Sequence, residues 1–331
     1  MDRGLRDYEI IVGSAADAFA AKPESQTKTT DATIISGLQF EASINVTSDK
    51  DKSSSDSTQI TLFNLSKELK DQFKVPGTTV MIRAGYTPVD SRDANGAMVR
   101  KPEELPVVYL GTVLHSFSGK RGSDNVTTVF ASTDAVERSI TKTSDAFPPG
   151  TKVTAVIESL VKKLALPKGH VDLTSIKDSV YQGGISLYGK VSDELTRVCE
   201  EWNLNFFIHD KKVNIVPKTP NKKAKVEVYD IYPIHLIGDP EGTYERTASR
   251  KKAKGETTAK GKSHKKTDPK ETITKNGLNI AVHLSGQLKV GNHIRINELA
   301  DFNGVYRIER LTHSMSYIGG DWSTKLELLP V

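Results

Sequence analysis

The sequence predicts a mainly β (α+β) fold in which two antiparallel β regions flank a small α/β domain. Three observations lead there. The first 140 residues are dominated by β-branched strands with glycine punctuation and one short helix signal. After "FPPG" (147–150) the pattern changes to helical periodicity and then returns to strands. One hairpin is also written twice, as "HSFSGKRGSDN" from His115 and "HSMSYIGGDW" from His313.

Taken in order, "YEIIVG" and "ATIISGLQFEASINVTS" read as strands, and "SSSDSTQITLFNL" ends in a third. Ser66 is placed to cap "KELKDQF", one or two helical turns. A turn at Val75-Pro76-Gly77 leads into the strand "TTVMIRAGY". Residues 87–106 form a polar loop, and "VVYLGTVLHSFSG" pairs with "NVTTVFASTDA" around "KRGSD". This content points to a sandwich or barrel. In "TKVTAVIESLVKKLAL", residues Val153, Val156, Ile157, Leu160, Val161 and Leu164 make one apolar helical stripe. Ser192 is the expected cap of a second helix with the face Leu195, Val198, Cys199 and Trp202. "LNFFIHDKKVNIVP" reads as two strands around a tight turn at Asp210-Lys211-Lys212. The last region ends in "LKVGNHIRINE", "GVYRIERLTHSMSY" and "STKLELLPV". The expected domains are therefore residues 1–144, 145–217 and 218–331, the last with a basic insertion at 246–275.

If the outer regions are copies, other landmarks recur in the same order. "ITLFNLS" has its counterpart in "IAVHLS", "VPGTTVMI" in "KVGNHIRI", and "VVYLGTVLHSFS" in "GVYRIERLTHSMS". Gly77 and His115 are 38 residues apart, Gly291 and His313 only 22, and the loop at 87–106 absorbs the difference. The alternative is strand-and-turn grammar that recurs on its own. A duplicated domain has a consequence: three chains around an axis present six similar domains, which suits docking onto a sixfold ring.

Composition sets the outer limits. The net charge is +5, but residues 246–275 hold 11 Lys/Arg against 3 Asp/Glu, so this segment carries +8 and the rest −3. The chain is a mildly acidic body with one basic run, and the whole-chain balance is no argument for a nucleic-acid-binding fold. The single cysteine, Cys199, excludes an intrachain disulfide and cysteine-pair zinc sites and points to a reducing cytoplasm. No run approaches the about 20 apolar residues of a membrane span, and "MDRGLRDYEI" lacks a secretory-signal layout.

Chemical signatures are missing. Gly183, Gly184 and Gly189 lack phosphate-loop spacing, the eight histidines contain no His-Glu-x-x-His, and no G-x-S-x-G occurs. Asp193 and Glu194, like Glu200 and Glu201, are adjacent on helices and point apart, unlike a hydrolase acid pair. No enzymatic activity, metal or cofactor is expected. His115 and His313 read either as a pH-sensitive interface or as hairpin residues bonded to backbone. Trp202 reads as core; Trp322, after Gly-Gly-Asp at a hairpin tip, reads as a subunit contact or local packing.

Three stretches resemble the baseplate hub, or tail hub, proteins of contractile-tailed phages, relatives of the type VI secretion spike trunk. They are "TLFNLSKELKDQFKVPGTTVMIRAGY", "ISLYGKVSDELTRVCEEWNLNFFIHDKKVNIVP" and "LKVGNHIRI…NGVYRIERLTHSMSYIGGDWSTKLELL". The resemblance implies tube-like antiparallel β-barrel domains flanking the small α/β domain, a homotrimer, and no active site. It implies a place in the virion tail, assembled in the host cytoplasm, between the hexameric tail tube protein and the trimeric central spike protein. The tape-measure protein and other baseplate proteins are the further partners, and DNA passes through the channel without sequence-specific binding or membrane insertion. The basic run departs from the family pattern. Arg250, Lys251, Lys252, Lys265 and Lys266 are its candidate partner-binding residues, with Trp322 beside them. The competing reading is a nucleic-acid-binding module acting through 246–275, against which stands the lack of interleaved aromatics.

Overall fold

The computed structural model describes residues 5–14, 32–48, 58–87, 104–133, 141–219, 226–249, 270–299 and 301–331, with the backbone alone at 244–249 and 270–276. The basic residues Arg250, Lys251, Lys252, Lys265 and Lys266, and most of the loop at 87–106, lie outside the described residues.

The first β region contains β1 (Leu5–Gly13), β2 (Thr33–Ile35), β3 (Phe40–Thr47), β4 (Thr58–Phe63), helix α1 (Lys67–Gln72), β5 (Thr79–Thr87), β6 (Val107–Arg121) and β7 (Asp124–Ser132). Ser66 caps α1 as its sequence suggests, its hydroxyl accepting from Leu69 N at 3.3 Å. β1 is buried on both faces. Tyr8, Ile10 and Val12 enter the main core, while Ile11 packs with Met81 and Leu110 on the other side. Both of its acidic residues have partners: Glu9 lies opposite Arg83 in the register and meets it at 3.1 Å, and Asp7 Oδ2 accepts from Thr87 Oγ1 at 3.1 Å.

The middle unit runs through β8 (Lys142–Phe147), β9 (Thr151–Lys152), α2 (Val153–Leu164), β10 (Lys168–Val171), β11 (Val180–Tyr181), β12 (Ile185–Lys190), α3 (Val191–Glu201), β13 (Leu204–His209) and β14 (Lys212–Pro217). The α2 stripe is buried at all six of its apolar positions. α3 starts differently from expectation. Lys190 is its N-cap, without a side-chain bond, and Ser192 lies inside the first turn, 1% exposed. The reason is that β12 runs unbroken to Lys190, paired with Lys142, and Val191 N donates to Thr141 O at 2.9 Å. An orphan donor at the helix start is thereby already satisfied. The β13–β14 turn is two residues long, Asp210 (φ 47°) and Lys211 (φ 55°). Positive φ at both positions matches the right-handed twist of the flanking strands, and Lys212 already belongs to β14.

The last region holds β15 (Val228–Ile231), β16 (Glu241–Ser249), β17 (Lys270–His283), β18 (His293–Ile296), β19 (Gly304–Ser316) and β20 (Trp322–Pro330). The ends of the basic segment are thus strand: β16 and β17 pair from Glu241↔Asn279 to Ser249↔Lys270.

The two β regions form one 13-stranded sheet, whose path reads β16-β17-β20-β19-β3-β4-β7-β6-β5-β1-β2, with β18 pairing β19 and β15 pairing β18. Strand order repeats within it: β3-β4-β7-β6-β5-β1 in the first half and β16-β17-β20-β19-β18-β15 in the second. The copies differ at their last strand, since β1 is antiparallel to β5 and β15 parallel to β18. The landmark glycines Gly77 (φ 81°) and Gly291 (φ 93°) both adopt left-handed backbone. At Gly77 a Cβ would meet nothing within 4 Å, so its conformation rather than space calls for glycine.

Two cores result. One spans both β regions, and the other lies between α2, α3 and the β13–β14 hairpin. The hairpin serves both, with Phe206, Ile208, Val213 and Ile215 facing the helices and Phe207 and Val216 facing the β core. Leu160 is 0% exposed in the helical core. Leu160→Ala is expected to cost about 2–5 kcal/mol, read as a lowered urea midpoint; an unchanged midpoint would contradict this packing.

Candidate assembly interface

The halves of the chain meet where β19 pairs β3, from Arg310↔Thr47 to Ser316↔Glu41. β19 is long enough to serve two partners, β18 along residues 304–307 and β3 along 310–316. On the inner face Leu311 and Met315 stand opposite Val46 and Ala42, and His313 opposite Ile44. Thr312 Oγ1 donates to Asn45 Oδ1 at 2.9 Å, and Ser48 N donates to Glu309 O at 2.9 Å. At the other end Tyr317 N donates to Phe40 O at 3.1 Å.

Trp322 closes this junction. The indole is 3% exposed, donates to Gly85 O at 3.2 Å and packs edge-on against Phe40 at 6.0 Å. The Arg6 guanidinium sits 5.7 Å from its ring centroid and donates to Ser316 O and Gly320 O. Within the chain the ring is packed locally, the hairpin tip folding onto β3 and β5. Trp202 caps α3 against the helical core, donating to the Tyr181 hydroxyl at 2.9 Å.

A charged clasp ties the middle unit to both β regions. Lys289, from the last region, donates to Asp210 Oδ2 at 2.8 Å and to Val107 O at 3.0 Å. Lys211, beside it in the turn, donates to Thr112 Oγ1 at 2.7 Å. Buried Arg307 donates to the carbonyls of Pro217 and Lys218, gripping the end of β14. Burial pushes the Asp210 carboxyl up, but its cationic neighbours outweigh that and hold it below the usual carboxylate range. His209 Nε2 lies 3.4 Å from Asp210 Oδ2. Burial lowers the His209 imidazole to about 4, so at neutral pH it is uncharged and Lys289 supplies the standing positive charge. None of these residues was legible as a site. Isolated charges among strands read as solvent-facing, and only the Asp-Lys turn had a local signal.

The doubled histidines have different surroundings. His313 is 1% exposed, with Nδ1 2.9 Å from Thr324 Oγ1. His115 is exposed and stacks on Phe130 at 4.7 Å. Both engage side chains, not the backbone partners expected. The neighbouring apolar positions diverge likewise, Met315 being 2% exposed and Phe117 58%.

No family model matches the sequence, and no curated protein matches it. Solved structures resemble it in shape. The 43 kDa tail protein of prophage MuSo2 from Shewanella oneidensis superimposes with a TM-score of 0.55 at 10% identity, over 97% of this chain and 96% of that one. The tail protein from Neisseria meningitidis MC58 gives 0.51 at 12% identity, over 97% and 96%. This chain has the fold of phage tail proteins. A chain of the half-lidded Francisella PdpA-VgrG complex gives 0.50 at 9% identity, over 98% of this chain and 58% of that one. The shared feature is the fold along nearly the whole chain, the residues being almost all different.

Two expectations concern the clasp. Lys289→Met leaves a largely buried carboxylate unpaired and is expected to cost about 1–3 kcal/mol, with Asp210→Asn in the same chain restoring most of it; urea denaturation of the four chains measures the cycle. The second concerns pH. Burial lowers His209 to about 4 and His313 to about 3, whereas both titrate near 6.5 when unfolded. The unfolded chain then binds more protons below about pH 6.5, so stability falls as pH drops from there toward about 4. Asp210, also depressed, acts in the same direction at lower pH. The urea midpoint should decline across this window, and less steeply in His313→Gln.

Proposed function

We propose that this chain is a structural protein of a phage-type tail, the baseplate hub that adapts a hexameric tail tube to a trimeric central spike. The observation that carries the reading is the repeat of strand order within one chain, β3-β4-β7-β6-β5-β1 and β16-β17-β20-β19-β18-β15, joined by a single continuous sheet. Two like domains per chain and three chains per ring give pseudo-sixfold symmetry on one side while keeping threefold symmetry on the other. The fold likeness to the tail proteins of MuSo2 and Neisseria meningitidis over nearly the full chain supports it.

In this reading residues 1–144 and 218–331 are the two ring-forming domains and 145–217 an insertion that carries no share of the ring. The role is architectural, without catalysis. The ring surrounds a channel through which DNA passes without being read, and the tube, spike, tape-measure and other baseplate proteins are its neighbours. The basic run 246–275, with Arg250, Lys251, Lys252, Lys265 and Lys266, is a contact for an acidic surface of one of them. Its +8 against an otherwise acidic chain supports that role.

Native mass spectrometry with two-dimensional class averages tests the proposal. The expected result is a homotrimer whose averages show a ring with a central hole. A monomer that binds DNA at low salt and releases it at high salt would overturn it in favour of a nucleic-acid-binding module.

A further inference from the structure

We propose that neighbouring subunits join by edge-to-edge β-pairing, the outer half of β6 in one chain lying antiparallel to β16 of a second copy of this chain. This contact reproduces between chains the β19–β3 junction that each chain makes within itself. The inference rests on the trimeric reading above and specifies which surfaces close the ring.

The repeated strand order supplies the correspondence. β19 in the second half occupies the place of β6 in the first, and β3 in the first half the place of β16 in the second. Within the chain the first member of one copy, β3, already covers the long strand of the other, β19. Applying the same step again carries β16 of one chain onto β6 of the next.

Both surfaces fit that role. Along one edge β6 pairs with β7 as far as Arg121↔Asp124, but on the other β5 covers it only from Val107 to Thr112. The loop after α1 reaches it at Val113, whose N donates to Thr78 O at 2.8 Å, and at Ser116, whose Oγ lies 3.5 Å from Phe73 O. Beyond those contacts, no strand among the described residues pairs this edge. β16 likewise pairs β17 alone among the described strands. Its nine residues match the eight of β3. Unpaired edges of this length are liabilities that folds cover or blunt.

The side chains record the missing partner. Where β3 flanks β19, Leu311, His313 and Met315 are 1–2% exposed. In β6 the counterparts of His313 and Met315 are uncovered, His115 being open and Phe117 58% exposed, whereas Val113, the counterpart of Leu311, is covered at 7%; Leu114, in the bulge between them, is 51% exposed. The same hairpin is therefore an interior element in one copy and an uncovered apolar edge in the other. Because the two complementary edges are different surfaces, the contact is heterologous. Repeated head to tail it closes a ring when the rotation allows, and it gives no twofold dimer.

Co-expression of a Ser118→Cys chain with a Glu241→Cys chain, followed by a short flexible bis-maleimide, tests the pairing; Cys199 is buried and serves as an internal control. The expected product is a covalent pair containing one chain of each kind, with no such product when either variant is expressed alone. Phe117→Asp, at an exposed position, should leave the melting temperature of the dissociated chain unchanged while weakening trimer formation at least about tenfold. A trimer that persists in Phe117→Asp and gives no Ser118→Cys to Glu241→Cys product would overturn this edge assignment and leave the trimer standing. A chain that stays monomeric at every concentration would overturn both.

Discussion

The backbone of a β-strand carries a donor and an acceptor at every residue, and a long strand has to find partners for both of its edges. β19 meets this demand by dividing one edge between β18 and β3. That division joins the two β regions. It makes their strands a single sheet and lets Ile44 and Val46 share a core with Leu311 and Met315. It also sets a topological cost. Thr312 and Asn45 bond across 267 residues of sequence, so the junction closes only after both regions exist. Contacts of such separation slow folding.

The insertion between the two regions does not weaken this arrangement, because the β13–β14 hairpin is buried on both faces. Phe206 and Ile208 hold it to the helices while Phe207 and Val216 hold it to the sheet. Its turn lies beside Lys289, which also reaches Val107 O, so one ammonium group bridges all three parts of the chain. Burying a carboxylate such as Asp210 is tolerable only with such a partner. The middle unit is accordingly a third anchor for the halves rather than a spacer between them.

Much of this was legible where structure depends on local pattern. The α2 stripe, the Ser66 cap and the hairpin strands each follow from spacing or from one side chain. The ordered landmarks pointed to the shared strand order because they recur with strand-like alternation around Gly77 and Gly291. What stayed hidden depends on distant residues. Ser192 looks like a cap until β12 continues to Lys190 and Thr141 supplies the acceptor. Trp322 looks exposed at a glycine-rich tip until Phe40, Gly85 and Arg6 enclose it. Lys289, Asp210 and Arg307 have no pattern at all, since a buried charge differs from a surface one only in what lies opposite it. The pairing of β19 with β3 is also beyond local reading, because it joins elements from opposite ends of the chain.

A strand order repeated within one chain makes a junction inside the chain thermodynamically different from one between chains. The β19–β3 contact forms between tethered parts, at an effective concentration fixed by the chain, and so is present in every folded molecule. A matching contact between chains gains nothing from the tether and depends on how many subunits have accumulated. The histidines reflect the same asymmetry. His313, enclosed in the covered copy, is held neutral by burial, with its ring nitrogen satisfied by Thr324. His115, in the uncovered copy, keeps a solvent-facing ring stacked on Phe130. A residue in the covered setting can be optimised for one environment. Its counterpart is a small stacked ring that faces solvent, flanked by the exposed Leu114 and Phe117. One hairpin pattern thus forms an internal seam at one place and, among the described strands, an uncovered edge at the other.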